Sequence, residues 1–486
     1  MATTGGDALL TDFYQLTMAY GYFKSGLAST DAVFHLFFRE NPFGGGFSIA
    51  AGLEPAVELL ERFRFAPDDL AFLEGVRGND DAPIFDREFL DLLAEMRFTC
   101  DVDAMPEGTA VFAQEPLLRV RGPIMQAQLV ETPLLNAINF QTLVATRAAR
   151  VVAAAGDRPV LEFGLRRAQG PDGGMSASRA AYIGGCSGTS NVLAAKRWGI
   201  PVRGTHAHSW VMAFGSELEA FEAWAEAMPN NCLFLVDTYD TLQGVRNAIE
   251  VGRRMRDRGQ RMAGIRLDSG DLAYLSREAR AMLDEAGFTD ATIVGTNDLD
   301  EHIIESLGIQ GAAIGLWAVG TRLVTAYEEP ALGGVYKLAA TRAPGADWVE
   351  KIKLSEQAVK TTTPGVLQVR RFHEHGAAVG DMIYDERHPP AGSPTIVDPA
   401  DLTRRKTFAH AESSEELLVP VMRGGARVLE LPAIDAIRAR TAAQVSALHP
   451  GIRRFVNPHV YPVGLEKSLY DRKTQLILEA KGFAER

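Results

Sequence analysis

Cysteine is scarce: the 486 residues hold only Cys100, Cys186 and Cys232, far apart and without a CxxC pair. That excludes a disulfide framework and a paired-thiolate zinc site, and it fits a reducing compartment. Long apolar runs are also missing, and no stretch reaches the ~18 uncharged residues of a membrane span. Residues Met1–Asp7 carry neither the basic nor the apolar region of a signal peptide, so a cytoplasmic chain without a membrane partner is expected. Excess positive charge is absent, and a net charge of −12 argues against a nucleic-acid partner. It leaves room for a small anionic ligand, held by locally concentrated arginines or a bridging metal.

What is present is ordinary globular material, 46% hydrophobic and 23% charged. The length exceeds that of a single growing core, so two or more domains are expected. Residues 1–122 have a mixed α+β pattern, with helical spacing over Leu9–Tyr22 and a β-rich run at Ala32–Phe38. A helical pattern follows from Pro123 to Ala155. Short apolar runs then recur at Val160–Phe163, Val202–Thr205, Cys232–Val236, Gly264–Leu267, Ala291–Val294 and Ala312–Leu316, with helical patterns between most of them. Strands alternating with helices imply βαβ units and a parallel sheet. Without GxGxxG the pattern favours an α/β barrel over 123–345 rather than an open dinucleotide-binding sheet. Residues 346–486 break the rhythm, with strands expected at Val366–Phe372 and Ala378–Tyr384, and are expected to return to the N-terminal layer.

The unusual residues fall just after these strands. Phe163-Gly-Leu-Arg166-Arg167, Thr205-His206-Ala-His208-Ser209, Asp237-Thr-Tyr-Asp240, Arg266-Leu-Asp268-Ser269-Gly270-Asp271, Gly295-Thr296-Asn297-Asp298 and Gly320-Thr321-Arg322 each follow one run. In a parallel barrel such strand ends open on the face that holds active sites. Arg266 and Asp268, two apart, share one side of a strand and suit an anionic ligand bearing hydroxyls; Asp268–Asp271 alone would pass for a helix-capping turn. Arg166 and Arg167 beside a Gly-rich loop suit phosphate or carboxylate, although a solvated patch has the same appearance. Phe163 offers a flat aromatic face, although a buried core Phe is the commoner fate, and Gly320-Thr321 is either another helix cap or the kind of loop that holds a phosphate. His206 and His208 share one side of their segment, and three readings stand. They are metal ligands of a barrel hydrolase, a structural pair, or a source of one acid–base or nucleophilic imidazole. The other strand ends offer Asp237, Asp268 and Asn297 but no further histidine, which weakens the metal reading.

Several runs together resemble the nicotinate phosphoribosyltransferases over nearly the whole chain. They are Leu10-Thr-Asp-Phe-Tyr-Gln-Leu-Thr-Met, Glu162-Phe-Gly-Leu-Arg-Arg-Ala-Gln-Gly-Pro-Asp-Gly-Gly, Gly204-Thr-His-Ala-His-Ser, Ile265-Arg-Leu-Asp-Ser-Gly-Asp-Leu, Gly320-Thr-Arg-Leu-Val-Thr and Leu332-Gly-Gly-Val-Tyr-Lys-Leu. The resemblance implies an irregular α/β barrel beside a mixed N-terminal domain, working as a homodimer with shared active sites. It implies formation of nicotinate mononucleotide and pyrophosphate from nicotinate and phosphoribosyl pyrophosphate, with Mg²⁺, coupled ATP hydrolysis and no metal held directly by protein ligands. His208 would be transiently phosphorylated, and Tyr14, from a partner subunit, would sandwich the pyridine ring with Phe163. Thr205 and Arg266 would lie beside nicotinate, and Asp237 and Asp268 would hold ribose hydroxyls or magnesium-bound water. Arg166, Ser209, Ser269, Gly270, Thr296, Gly320 and Thr321 would serve the phosphoribosyl and phosphate groups.

A phosphohistidine needs a second group to fix its tautomer, and Asp237 or Asp240 offers an acceptor. Relatives using nicotinamide are expected to carry an acidic residue in the stretch matching Gly184–Asn191; the absence of a carboxylate there favours nicotinate over nicotinamide or quinolinate. His206 stands where a small or aliphatic residue is expected, and the sequence assigns it no role.

Overall fold

The computed structural model describes residues 8–357, 360–390 and 392–483. The chain divides into two compact units, one of residues 1–142, 331–433 and 442–486, the other of residues 143–330 and 434–441. The division falls inside the helix Glu131–Ala155 rather than at residue 122, because that helix gives its first half to one unit and its second half to the other. The helix expected from Pro123 is in fact two, Ile124–Leu129 and Glu131–Ala155. Pro133 has no N–H to continue the i→i−4 ladder, and sits in the first turn of the second helix, where none is required.

The first unit is built on two large sheets and a two-stranded one, Ser48–Ile49 with Ala110–Val111. In the seven-stranded one, every neighbour pair is antiparallel, in the order Val349–Glu350, Gly334–Arg342, Asp31–Phe38, Leu118–Pro123, Asp101–Ala104, Val419–Arg423, Ala426–Arg427. Strands from the C-terminal part of the chain thus flank strands from the first 123 residues. The second sheet runs Arg405–Thr407, Thr395–Val397, Val463–Glu466, Ala377–Asp385, Leu367–Glu374, Ser413–Glu416. Across two of its strands lies a buried ion pair. Arg371 and Asp381 are both fully buried and bonded through Nε at 2.9 Å, while Arg371 also donates to Ala110 O and Gln444 Oε1. Tyr461 Oη donates to Asp381 at 2.8 Å.

The second unit is a six-stranded parallel sheet with helices between its strands. The ladder order is Gly188–Thr189, Val160–Glu162, Leu316–Val319, Thr292–Gly295, Gly264–Leu267, Leu233–Leu235. That is chain order taken as a ring and opened between residues 189 and 233, an irregular α/β barrel with one seam. Its strands are short and mostly apolar because a parallel sheet is buried on both faces. Five of its helices start on side chains that accept a backbone N–H: Asn191, Ser216, Asp240, Asp271 and Asp300. Two strand assignments shift. The second strand is Gly188–Thr189, while the expected Val202–Thr205 keeps only one bridge, Val202 to Thr189. The last strand begins at Leu316 rather than Ala312, since residues 312–314 follow the left-handed turn at Gly311 (φ 73°) and the ladder resumes after Gly315. Among the described residues no helix is long and apolar enough to cross a membrane.

Removing one half of a buried ion pair strands the other charge, at a cost of about 3–5 kcal/mol. Asp381→Ala is therefore expected to lower the denaturant midpoint by that much stability. A change below about 1 kcal/mol would show that Arg371 is not held by this pair.

Candidate active site

Parallel strands put their C-terminal ends on one rim, and the rim of the second unit carries most of the residues singled out above. At its centre Arg266, half-buried on the strand Gly264–Leu267, donates through Nη1 to Thr205 Oγ1 at 2.8 Å. Burial pushes the pKa of Arg266 down, Asp268 and Asp237 oppose that, and Arg166 reinforces it, so all three lie within electrostatic reach of the guanidinium. Arg266 Nε is buried without a partner among the described residues.

Asp237 follows the strand Leu233–Leu235 and ties its loop to the next one. Its Oδ2 accepts from Asp268 N at 2.7 Å and Ser269 Oγ at 2.8 Å, whereas its buried Oδ1 has no hydrogen-bond partner among the described residues. Asp268 Oδ1 in turn accepts from Thr296 Oγ1, which also donates to Leu267 O. Gly270, in the same turn, has φ 77°, and a Cβ there would sit 2.8 Å from Leu275 Cδ1. Only glycine fits this turn without strain.

The two histidines do not converge. His208 Nδ1 lies 3.1 Å from Thr238 Oγ1, and its Nε2 faces Asp268 Oδ2 at 3.6 Å. His206 is buried, and its Nε2 accepts from Leu235 N at 3.3 Å. Among the described residues no three of His, Cys, Asp and Glu gather to hold a metal ion, and the hydrolase reading is not favoured. The group paired with His208 Nδ1 is Thr238, not Asp237 or Asp240. Asp237 is engaged by Asp268 and Ser269, and Asp240 caps the helix Thr241–Asp257 by accepting from Gln243 N.

Phe163, partly buried, packs on the core of Leu161, Val294 and Ala318. The residue before it was missed as a functional one. Glu162 is buried, and accepts from Gly164 N, from Ser178 Oγ at 2.9 Å and from Thr189 Oγ1. Three donors on one buried carboxylate fix the loop that carries Phe163 and Arg166. The only sequence signal was a carboxylate inside an otherwise apolar strand. Thr238 gave none, since a threonine between two aspartates reads as loop. Gly164 packs against the Gly320 loop so closely that a Cβ would lie 2.4 Å from Val324 Cγ1 and 2.9 Å from Gly320 O. Gly320 and Thr321 then open the one-turn helix Thr321–Val324. Arg166 and Ser209 are exposed at the rim. Tyr14 belongs to the other unit, half-exposed on the helix Phe13–Lys24.

Burial pushes the pKa of His206 from 6.5 down to about 4; the Ala207 carbonyl opposes this and the charge of Arg266 adds to it. A histidine whose folded value lies below its unfolded one contributes fully above pH 6.5, and that contribution is lost as pH falls toward 4. Between pH 7 and 5 the wild type is expected to lose about 1–2 kcal/mol more unfolding free energy than His206→Phe. Parallel curves for the two proteins would show that His206 is not protected from protonation.

The chain matches the described nicotinate phosphoribosyltransferase (NAPRTase) family over residues 159–309, that enzyme's N-terminal domain over 9–139 and its C-terminal domain over 368–473. It is 44% identical over 485 residues to a nicotinate phosphoribosyltransferase of Bacillus subtilis, covering 98% of this chain and 96% of the relative. It is 42% identical over 471 residues to one of Mycobacterium tuberculosis, covering 96% and 94%. The crystal structure of human nicotinic acid phosphoribosyltransferase superimposes with a TM-score of 0.82 at 32% identity, covering 96% of this chain and 99% of that one. By these matches over nearly its whole length, the chain belongs to the nicotinate phosphoribosyltransferase family.

Proposed function

We propose that this chain joins nicotinate to the ribose of phosphoribosyl pyrophosphate, releasing pyrophosphate and coupled to ATP hydrolysis, as a cytoplasmic enzyme of NAD salvage. The observation that carries the reading is the Arg266–Thr205 pair standing beside Asp237 and Asp268. A guanidinium matched to a hydroxyl recognises a carboxylate on a flat ring, and Phe163 supplies a face for that ring. The pyridine nitrogen carries a free lone pair, so no base is needed to activate it. The protein's task is to aim that lone pair at C1 of the ribose, which Arg266, Thr205 and Phe163 do by orientation.

As the C1–O bond to pyrophosphate breaks, positive charge develops on the ribose. Asp237 Oδ1, buried and unpartnered, and Asp268 Oδ2 supply fixed negative charge for it. The same carboxylates are the hard oxygen donors that suit magnesium-bound water. Bound Mg²⁺ supplies charge neutralisation to the departing pyrophosphate. Arg166, Ser209, Ser269, Gly270, Thr296, Gly320 and Thr321 take the phosphoribosyl and phosphate oxygens.

His208 is the phosphoryl acceptor of the reading. On this reading Nδ1–H donates to Thr238 Oγ1, 3.1 Å away, which leaves the Nε2 lone pair to attack the terminal phosphorus of ATP as the bond to ADP breaks. The reading makes the enzyme a homodimer in which Tyr14 of one subunit completes the ring sandwich of the other. The stretch Gly184–Asn191 carries no carboxylate to repel nicotinate. Glu162, which reaches that stretch through Thr189, has its oxygens taken by three donors.

Pyrophosphate release is expected with nicotinate and not with nicotinamide or quinolinate; turnover with nicotinamide alone would sink the assignment. His208→Ala is expected to abolish ATP hydrolysis while slow ATP-independent transfer stays measurable. Unchanged coupling in that variant would move the phosphoryl acceptor elsewhere.

A further inference from the structure

The barrel does not close by backbone ladders. Among the described residues no ladder joins the Gly188–Thr189 side of the sheet to the strand Leu233–Leu235. The segment after Val202 makes one bridge to Thr189 and then leaves the sheet, yet it carries Thr205 and His208. A parallel strand edge facing such a gap exposes N–H and C=O groups that a folded interior does not tolerate unpaired. Leu235 is fully buried at that edge.

Two side chains span the gap. Asn231 Nδ2 donates to Gly204 O at 3.2 Å, and His206 Nε2 accepts from Leu235 N at 3.3 Å. An imidazole that accepts at Nε2 carries its proton on Nδ1, and that nitrogen lies 3.4 Å from Ala207 O. The ring is packed edge-on against Trp224, centroids 4.9 Å apart, and lies 6.2 Å from Phe221. Trp224 also meets Trp210, two residues beyond His208, at 5.3 Å. His206 therefore sits midway along a segment whose neighbours bond outward to different strand ends. Thr205 meets Arg266 and His208 meets Thr238. An aliphatic residue at 206 would fill the space and leave the Leu235 N–H without its acceptor.

We infer that His206, with Asn231 beside it, is a positioning residue: its Nδ1–H imidazole replaces the missing ladder bond across the barrel's seam and thereby sets Thr205 against Arg266 and His208 against Thr238. Neither residue needs to touch substrate or take up a proton. Burial, which pushes the ring's pKa down to about 4, keeps it neutral and accepting at neutral pH.

The inference rests on the proposed roles of Thr205 and His208, and its test separates the two. His206→Phe keeps an aromatic ring and removes the acceptor, whereas His206→Gln keeps an acceptor oxygen on a side chain of similar reach. In the full-length enzyme, His206→Phe is expected to raise KM for nicotinate and to lower ATP hydrolysed per product, each roughly 10- to 100-fold, the scale of a misplaced reacting group. His206→Gln is expected to recover both to within about threefold, because it restores the acceptor. Equal kinetics in the Phe variant and the wild type, or a Gln variant as impaired as Phe, overturns the inference and leaves the reaction assigned. If the Phe variant does not fold, Asn231→Ala severs the exposed tie instead. It is expected to raise KM severalfold at an unchanged melting temperature, and wild-type kinetics there overturns the inference equally. Should the wild type itself make no nicotinate mononucleotide, the functional reading fails first. The seam is still tested by ¹⁵N-histidine NMR at pH 7, which is expected to show His206 with Nδ1 protonated and Nε2 bare. An Nε2-protonated ring overturns it.

Discussion

A cation half-buried at the end of a barrel strand organises the rest of the rim. The Arg266 guanidinium gives up water, and its surroundings must answer for its charge. Thr205 Oγ1 accepts one of its hydrogen bonds, and Asp237 and Asp268 give counter-charge. Those carboxylates are held in turn, Asp237 by the Asp268 N–H and Ser269, Asp268 by Thr296. Four loops from separate strands are thus fixed by the requirement to compensate one charge.

The same geometry accounts for the strain nearby. The strand Thr292–Gly295 ends in Asn297 and Asp298, both at positive φ (91° and 32°), and the turn then closes on Asp300 and Glu301. Asp300 caps the helix Glu301–Ile309 and pairs with Arg322, which directly follows Thr321. Glu301, fully buried, accepts from both Arg147 and Arg150. Two adjacent acids at a helix N-terminus, where the helix dipole favours them, tether this turn, Asp300 to the loop after the last strand and Glu301 to the helix Glu131–Ala155. Unfavourable backbone at a ligand-facing turn persists when the structure around it leaves no alternative.

The parallel sheet was legible in the sequence because burial on both faces demands short apolar runs, and Val160–Glu162, Leu233–Leu235, Gly264–Leu267 and Thr292–Gly295 stand out on that ground alone. Gly188–Thr189 did not, because a two-residue strand has no periodicity and its neighbours resemble a helix start. The interleaving of residues 334–350 and 419–427 with the N-terminal sheet was not legible in detail, since register is a property of partners far away in sequence. Within the site, Arg266, Asp237 and Asp268 could be singled out by type and position, and Thr205 through the family resemblance. Their partners could not: Thr238 and Glu162 work through single atoms whose direction only the folded backbone decides. The histidine at 206 was visible as an oddity, and its role depended on a gap in a ladder that no local pattern reveals.

Each site carboxylate divides its two oxygens between two tasks. Asp237 spends Oδ2 on two donors and leaves Oδ1 unpaired, while Asp268 spends Oδ1 on Thr296 and turns Oδ2 toward His208 Nε2 at 3.6 Å. One oxygen fixes the group and the other is left to face a charge: Asp237 Oδ1 has no hydrogen-bond donor among the described residues, and Asp268 Oδ2 is turned toward the imidazole. A carboxylate bonded only through one oxygen can face a growing positive charge without moving, which is the condition for electrostatic stabilisation at no reorganisation cost. On the proposed reading Asp268 serves two such charges, the imidazolium of a phosphorylated His208 and the cationic ribose of the transfer step. A group shared in this way lets the state of the histidine alter the field at the ribose.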